Sequence, residues 1–117
     1  MIVPFSKKPA HERKIDVQKI FNKYPDKIPI FVQKEKSCHD LPETMTQKYL
    51  VPRELTLGQF LYTIRKRIML PPEKALFIFF DHHLLNTESM MVEIYEKHHN
   101  KEDNMLYALC STESTFG

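Results

Sequence analysis

Six histidines and two cysteines are the side chains in this sequence best suited to metal or nucleophile chemistry. Most fall in adjacent pairs, His82-His83, His98-His99 and Cys38-His39, while His11 and Cys110 stand alone. A structural zinc site brings its signature spacing, such as Cys-x2-Cys or His-x3-His, and none is present. Neighbouring side chains also point to different sides of a helix or strand, so a pair does not aim at one ion. A thiol nucleophile needs an aligned base, and neither cysteine has one that the spacing reveals. With Gly58 and Gly117 the only glycines, a Gly-rich phosphate loop is excluded. The sequence therefore offers no catalytic residue, no metal site and no cofactor of its own, and the chain is read as a non-enzyme.

The elements around these residues are more informative. Lys48–Ile68 reads KYLVPRELTLGQFLYTIRKRI. Lys48–Val51 is apolar and β-prone, and Pro52 ends the ladder because it has no N–H to donate. Thr56 and Gln59 have the spacing of a capping box, so a helix starts there. Leu57, Phe60, Leu61, Ile64 and Ile68 then follow one helical face, opposite Gln59, Thr63, Arg65, Lys66 and Arg67. A strand with a free edge thus leads into an amphipathic helix.

The same logic orders the rest. Residues 1–9 read as a short, partly ordered arm. Val17, Ile20, Phe21 and Tyr24 give helical spacing from Ala10 to Tyr24, ended by Pro25. Ile28–Gln33 reads as a strand that Pro29 assigns to an edge or to a start. Lys34–Gln47 is a loop. Pro71-Pro72 terminates the second helix. Leu76–Phe80 is apolar without alternation, which predicts the centre of a sheet. Met90 to His98 suits a short helix capped by Asn86 or Thr87. Met105–Cys110 is a last strand, and a polar tail follows. A helix crossing strands of mixed direction describes an α+β fold of the β-grasp type.

A length of 117 residues suits one domain with one core. No apolar run approaches the roughly 20 residues that span a bilayer, and the first ten residues lack a secretory apolar region. Two cysteines without such a signal favour a reduced cytosolic or nuclear protein. The net charge of +2 is too small for a nucleic-acid binder. Residues 1–67 carry 14 basic and 7 acidic side chains, and residues 68–117 carry 3 and 8. That asymmetry describes either a basic face for acidic partners or anionic lipid, or two halves that interleave and average out. The arm with Lys7, Lys8, Arg13 and Lys14 is likewise either a contact for membrane or acidic protein such as tubulin, or a solvated basic face.

The segments KYPDKIPIFV, KYLVP, LTLGQF, IRKRI, KALFIFF, IYEKHH, MLYALCS and a terminal STFG, taken in order, resemble the autophagy ubiquitin-like modifiers, the family of GABARAP and the microtubule-associated light-chain proteins. The resemblance covers nearly the whole chain. It implies a ubiquitin-like β-grasp with a four-stranded mixed sheet and a crossing helix. It divides the chain into an N-terminal helical extension over 1–24, a ubiquitin-like domain over 25–110 and a flexible conjugation tail over 111–117. It implies that Gly117 is activated as an adenylate, passed through two enzyme thioesters and joined to the amine of phosphatidylethanolamine. The partners would then be ubiquitin-like activating and conjugating enzymes, and a cysteine protease that exposes the glycine and reverses the linkage. The protein would be cytoplasmic, and attached to autophagosomes or other cytoplasmic vesicles once lipidated. A glycine suits a narrow enzyme channel because it lacks a Cβ.

The resemblance also implies binding of cargo receptors and adaptors through aromatic-x-x-aliphatic peptides. The aromatic pocket would use Asp16, Ile20, Pro29, Phe31, Lys48, Leu50 and Met105. The aliphatic pocket would use Tyr49, Val51, Pro52, Leu55, Phe60 and Thr63, with Arg67 beside it. Lys48 and Arg67 would favour acidic residues flanking the motif. An extended peptide adding to a free strand edge is the physical counterpart of this expectation. The sequence departs from the family at Met105, where Phe is usual, and at Thr63, where Leu is usual. It also departs at Leu84-Leu85-Asn86, Met45-Thr46-Gln47 and Asp81-His82-His83. A paralogue that binds peptides or tubulin and is never conjugated is the alternative reading.

Overall fold

Residues 5–113 are described by the computed structural model. Seven principal elements follow in the expected order. They are α1 (Ala10–Lys23), β1 (Lys27–Lys34), β2 (Gln47–Pro52), α2 (Leu57–Ile68), β3 (Phe77–Phe79), α3 (Met91–His98) and β4 (Leu106–Ser111). The strands form one mixed sheet in the order β2-β1-β4-β3, with β1 antiparallel to β2 and parallel to β4. Among the described residues, no helix is long and apolar enough to cross a membrane.

Side-chain alternation along β1 divides the interior into two layers. Ile28, Ile30 and Val32 join Tyr49, Val51, Leu57, Phe60 and Ile64 in the main core under α2 and α3. Phe31 faces the other way, into a smaller cluster with Phe5, Val17 and Met105 under α1. The α2 face is built as its periodicity predicts, with Leu57, Phe60 and Ile64 buried. Its start is the expected capping box: Gln59 N–H donates to Thr56 Oγ1 at 3.2 Å and Thr56 N–H donates to Gln59 Oε1 at 2.9 Å.

Several sequence expectations are corrected. β1 is not an edge strand but is paired on both sides. Pairing with β4 begins only at Ile30, one residue past Pro29, so the proline is tolerated where β1 has one partner. Leu76–Phe80 is not the centre of the sheet: its strand is three residues long and lies at the edge beside β4. The run is apolar because Ile78 and Phe80 enter the main core while Phe79 is buried on the opposite face. Burial on two faces is separate from pairing at two edges. β3 leads into a tight turn in which Phe80 and His83 exchange backbone bonds of 2.9 Å, with Asp81 and His82 both at positive φ.

α2 stops before the proline pair. Met69 takes the left-handed conformation at φ 54°, and Leu70 N–H reaches back to Arg65 O at 3.1 Å, closing the helix by its own geometry. Neither Asn86 nor Thr87 caps α3. Its N-cap is Met90, whose N–H donates to Glu93 Oε1 at 2.9 Å, while Asn86 Oδ1 accepts from Glu88 N–H in the preceding turn. Within the N-terminal arm, Phe5–Lys7 form a 3-10 turn and Phe5 is buried.

α1 is tied to the sheet by a buried carboxylate. Asp103, with no exposed surface, sits in the loop before β4. Arg13 Nε donates to Asp103 Oδ2 at 2.7 Å, the Tyr107 hydroxyl donates to the same oxygen, and Met105 N–H donates to Oδ1 at 2.9 Å. A second guanidinium nitrogen of Arg13 donates to Lys8 O at 2.6 Å, which holds the arm as well. Burial, then the bond to Asp103, pushes the Tyr107 phenol above its ordinary range.

Removing one partner of a buried, hydrogen-bonded ion pair typically costs about 3–5 kcal/mol. Asp103→Ala is expected to lose stability on that scale in urea unfolding, and a loss under about 1 kcal/mol would show that the tie is dispensable. The core thiol of Cys110 gives a pH signature. Burial, followed by the nearby Cys38, pushes it up to about 12 from an ordinary 9.0. The unfolded chain therefore releases this proton first. The stability is fully present below the ordinary value and declines as pH rises from there towards 12, by about 1.4 kcal/mol per unit where the shift acts alone. Urea unfolding under reducing conditions should show that decline above pH 9, and Cys110→Ala should make it shallower, the raised Tyr107 phenol contributing the rest at higher pH. A wild-type stability that is level to pH 11 would contradict the assignment.

Candidate peptide-binding groove

The open edge of the sheet is β2. Two prolines fix which of its backbone groups face outward. In the antiparallel ladder Pro29 pairs with Leu50 and Pro52 pairs with Lys27, two positions of the same parity. A proline cannot donate, so these are the pairs that do not exchange hydrogen bonds. The bonded pairs are then Ile28 with Val51 and Ile30 with Tyr49. The backbone groups of Lys48 and Leu50 accordingly face away from β1. Among the described residues no strand pairs with that edge.

Side chains alternate about this edge. Lys48, Leu50 and Pro52 lie on the α1 side and are exposed, Leu50 at 42% of its surface. Tyr49 and Val51 lie on the α2 side and are buried. The two sets of residues expected to form pockets therefore flank one strand, on opposite faces of the sheet.

On the α1 side the structure gathers most of the aromatic set. Phe31, Pro29 and Met105 are buried, Ile20 and Asp16 on α1 are half-buried, and Lys48 and Leu50 are at the surface. Asp16 is engaged: Lys8 Nζ donates to its Oδ2 at 2.7 Å. Phe5, in the N-terminal arm, stacks on Phe31 with ring centres 5.6 Å apart and 26° between planes. Lys48 Nζ stands 4.9 Å from the centre of the Phe5 ring. Phe5 is thus the residue of this site that sequence reasoning missed. The available signal was a single aromatic side chain between Pro4 and Pro9, among basic residues.

On the α2 side, Tyr49 meets Phe60 edge-on at 5.7 Å and 83°, and the Arg67 guanidinium lies 5.3 Å from the Tyr49 ring centre. Leu55 is half-buried against the same core. Thr63 is exposed and its hydroxyl donates to Gln59 O at 3.0 Å, back along its own helix. Pro52 has the parity of Lys48 and Leu50, so the structure does not bring it to the side of Tyr49 and Val51. A separate hollow of about 230 Å³ lies at the other end of the sheet, lined by Gln33, Phe79, Asp81, His82 and Tyr107, and includes none of the expected site residues.

The chemically suggestive residues go elsewhere. His98 Nδ1 lies 2.8 Å from Asp81 Oδ2, and His99 stacks on Tyr95 at 4.7 Å. Among the described residues no three His, Cys, Asp or Glu side chains converge as metal ligands would. Gly117 lies outside the described residues.

Comparison with known proteins agrees with the sheet order and its flanking helices. The family model described as "Autophagy protein Atg8 ubiquitin like" matches residues 12–117. Autophagy-related protein 8 of Candida glabrata is 50% identical over 113 residues, covering 96% of this chain and 93% of the relative. Autophagy-related protein 8d of Arabidopsis thaliana is 49% identical over 110 residues, covering 93% and 89%. The crystal structure of Trypanosoma brucei ATG8 superposes with a TM-score of 0.83 at 35% identity, covering 96% of this chain and 95% of that one. The chain belongs to the Atg8 family of ubiquitin-like autophagy proteins.

Proposed function

We propose that this protein is a ubiquitin-like modifier, joined through Gly117 to phosphatidylethanolamine on autophagosomal membranes, which recruits cargo receptors and adaptors by their aromatic-x-x-aliphatic motifs. The observation that carries the groove is the edge of β2, with which no strand pairs among the described residues, with Leu50 exposed on one side of it and Tyr49 and Val51 packed on the other. A peptide strand laid along that edge offers main-chain partners to Lys48 and Leu50. Its aromatic side chain goes to the α1 side, towards Phe31, Pro29, Ile20 and Met105, where Phe5 now stacks. Its aliphatic side chain goes to the α2 side, near Tyr49, Val51, Leu55, Phe60 and Thr63. Pro52 marks the end of the ladder. Lys48 and Arg67 are the cations at the rim, suited to acidic flanks, and Asp16 balances Lys8 at the opposite wall.

Family membership supports the conjugation step. In this reading Gly117 is a substrate for other enzymes. Its carboxylate is activated as an adenylate, exchanged onto two successive enzyme thiols, and transferred to the lipid amine as an amide. A cysteine protease exposes the glycine and later reverses the linkage. Segment 111–117 is the conjugation tail, and its first residue, Ser111, is the buried last residue of β4. A covalently attached two-chain lipid supplies a membrane anchor, and among the described residues no helix is long and apolar enough to cross a bilayer.

Two measurements test the two halves separately. Gly117→Ala in the native cell should abolish the faster-migrating, membrane-bound form. Persistence of that form would refute conjugation at Gly117, and its absence from wild type would favour an unconjugated adaptor. In peptide titrations, Leu50→Ala should weaken binding about tenfold, the equivalent of about 1.4 kcal/mol. Lys48→Glu should weaken peptides with acidic flanks, most strongly at low salt. Unchanged affinity in both variants would remove the groove assignment.

A further inference from the structure

The proposed function leaves one pair of reactive side chains without a role. Cys38 and Cys110 are 72 positions apart in sequence but belong to the same buried cluster, with 8% and 0% of their surfaces exposed. Both are free thiols. The backbone brings them together. Glu35 N–H donates to Cys110 O at 2.8 Å, and Cys38 N–H donates to Glu35 O at 3.0 Å, so the turn after β1 folds over the end of β4. Cys38 Sγ then lies 3.3 Å from Thr112 Oγ1, the hydroxyl two residues beyond Cys110. Thr112 lies just past the end of β4 at Ser111, so Cys38 packs against the strand end that carries Cys110.

The two sulfurs differ in the way that a reactive pair requires. Burial raises the Cys38 thiol, but hydrogen bonds from the Thr112 hydroxyl and from the backbone N–H groups of Thr112, Asp40 and Leu41 outweigh it, leaving the thiol below its ordinary value. Cys110 is held protonated by burial. Cys38, the slightly exposed member, thus has its thiolate favoured by neighbouring donors, while Cys110 is fully enclosed. Two inert core cysteines would need no such set of donors around one sulfur.

We infer that Cys38 and Cys110 are a modification site, an oxidisable dithiol that closes to an intramolecular disulfide and pins loop 35–41 onto the end of β4. The oxidant is a small peroxide. The Cys38 thiolate attacks one oxygen of hydrogen peroxide, the O–O bond breaks, and hydroxide leaves and takes up the proton that Cys38 released. This gives a sulfenic acid at Cys38 and one water. Cys110 sulfur attacks the sulfenic sulfur, the S–O bond breaks, and the second hydroxide leaves with the Cys110 proton. The protein loses two hydrogens, and one peroxide becomes two waters. A reducing thiol pool reopens the pair by exchange. The bond replaces the contact of Cys38 with Thr112, so loop and strand end become one covalent unit. None of this depends on conjugation or on peptide binding.

The full chain is treated with hydrogen peroxide and compared with a sample kept in reductant. The expected result is a fall in free thiols from two to zero, an intact mass lower by two hydrogens, and one cross-linked peptide pair joining Cys38 to Cys110. Amide hydrogen exchange in residues 36–41 should slow on oxidation and recover with reductant. In Cys110→Ala, Cys38 should stop at a sulfenic acid that a dimedone probe captures. In Cys38→Ser, Cys110 should stay unmodified. The inference is overturned if wild-type Cys38 proceeds to sulfinic acid without a cross-link, if the only disulfide formed joins two molecules, or if loop exchange is the same in both redox states. The wild-type mass and exchange data decide the matter without either variant.

Discussion

Every other feature of this fold depends on β1 being bonded along both of its edges. Antiparallel pairing with β2 and parallel pairing with β4 leave β2 as the long outer strand. The alternation of β1 side chains assigns Ile28, Ile30 and Val32 to one layer and Phe31 to the other. A two-layer interior follows, and the edge of β2 passes between the layers. That geometry allows one extended ligand to touch both faces of a single sheet. The opposite edge is unsuited to the task, because β3 has three residues and runs into a tight turn.

The α1 layer is the thinner of the two and is held by polar as well as apolar contacts. Arg13, Asp103 and Tyr107 join the helix to the loop before β4 and to β4 itself, all through one carboxylate. Phe5 then completes the layer by stacking on Phe31. The wall of the groove is consequently part of the same construction that fastens α1. In the proposed function, an incoming aromatic ring meets a site whose surface is already shared with a side chain of the protein. Met105 is fully buried in the same cluster as Phe5 and Phe31, so a methionine there shapes the floor rather than the rim.

Much of this was readable from residue order. Helical spacing located α1 and α2, the Thr56–Gln59 box located the start of α2, and Pro52 marked the end of β2. The errors share a physical origin. Apolar character reports burial on the faces of a strand and carries no direct record of its neighbours in the sheet. Leu76–Phe80 therefore looked central and lies at an edge, while Pro29 made β1 look peripheral when it is central. The stop of α2 at Met69 depends on a left-handed residue that is not glycine, for which sequence gives little warning. Asp103 and Phe5 were missed because their partners, Arg13 and Phe31, are 90 and 26 positions away. Local periodicity is blind to contacts of that range. The groove residues were named from family resemblance, and the structure adds their division between two faces, with Pro52 on the side opposite Tyr49.

The central claim is that the outward backbone of β2 is free until an extended peptide pairs with it. Residue-resolved amide hydrogen exchange, with and without a saturating aromatic-x-x-aliphatic peptide, tests this directly. The account predicts that Lys48 and Leu50 exchange rapidly in the free protein and become protected in the complex, while Tyr49 and Val51 are protected in both. Protection of Lys48 and Leu50 in the free protein, or unchanged rapid exchange at saturation, would contradict it.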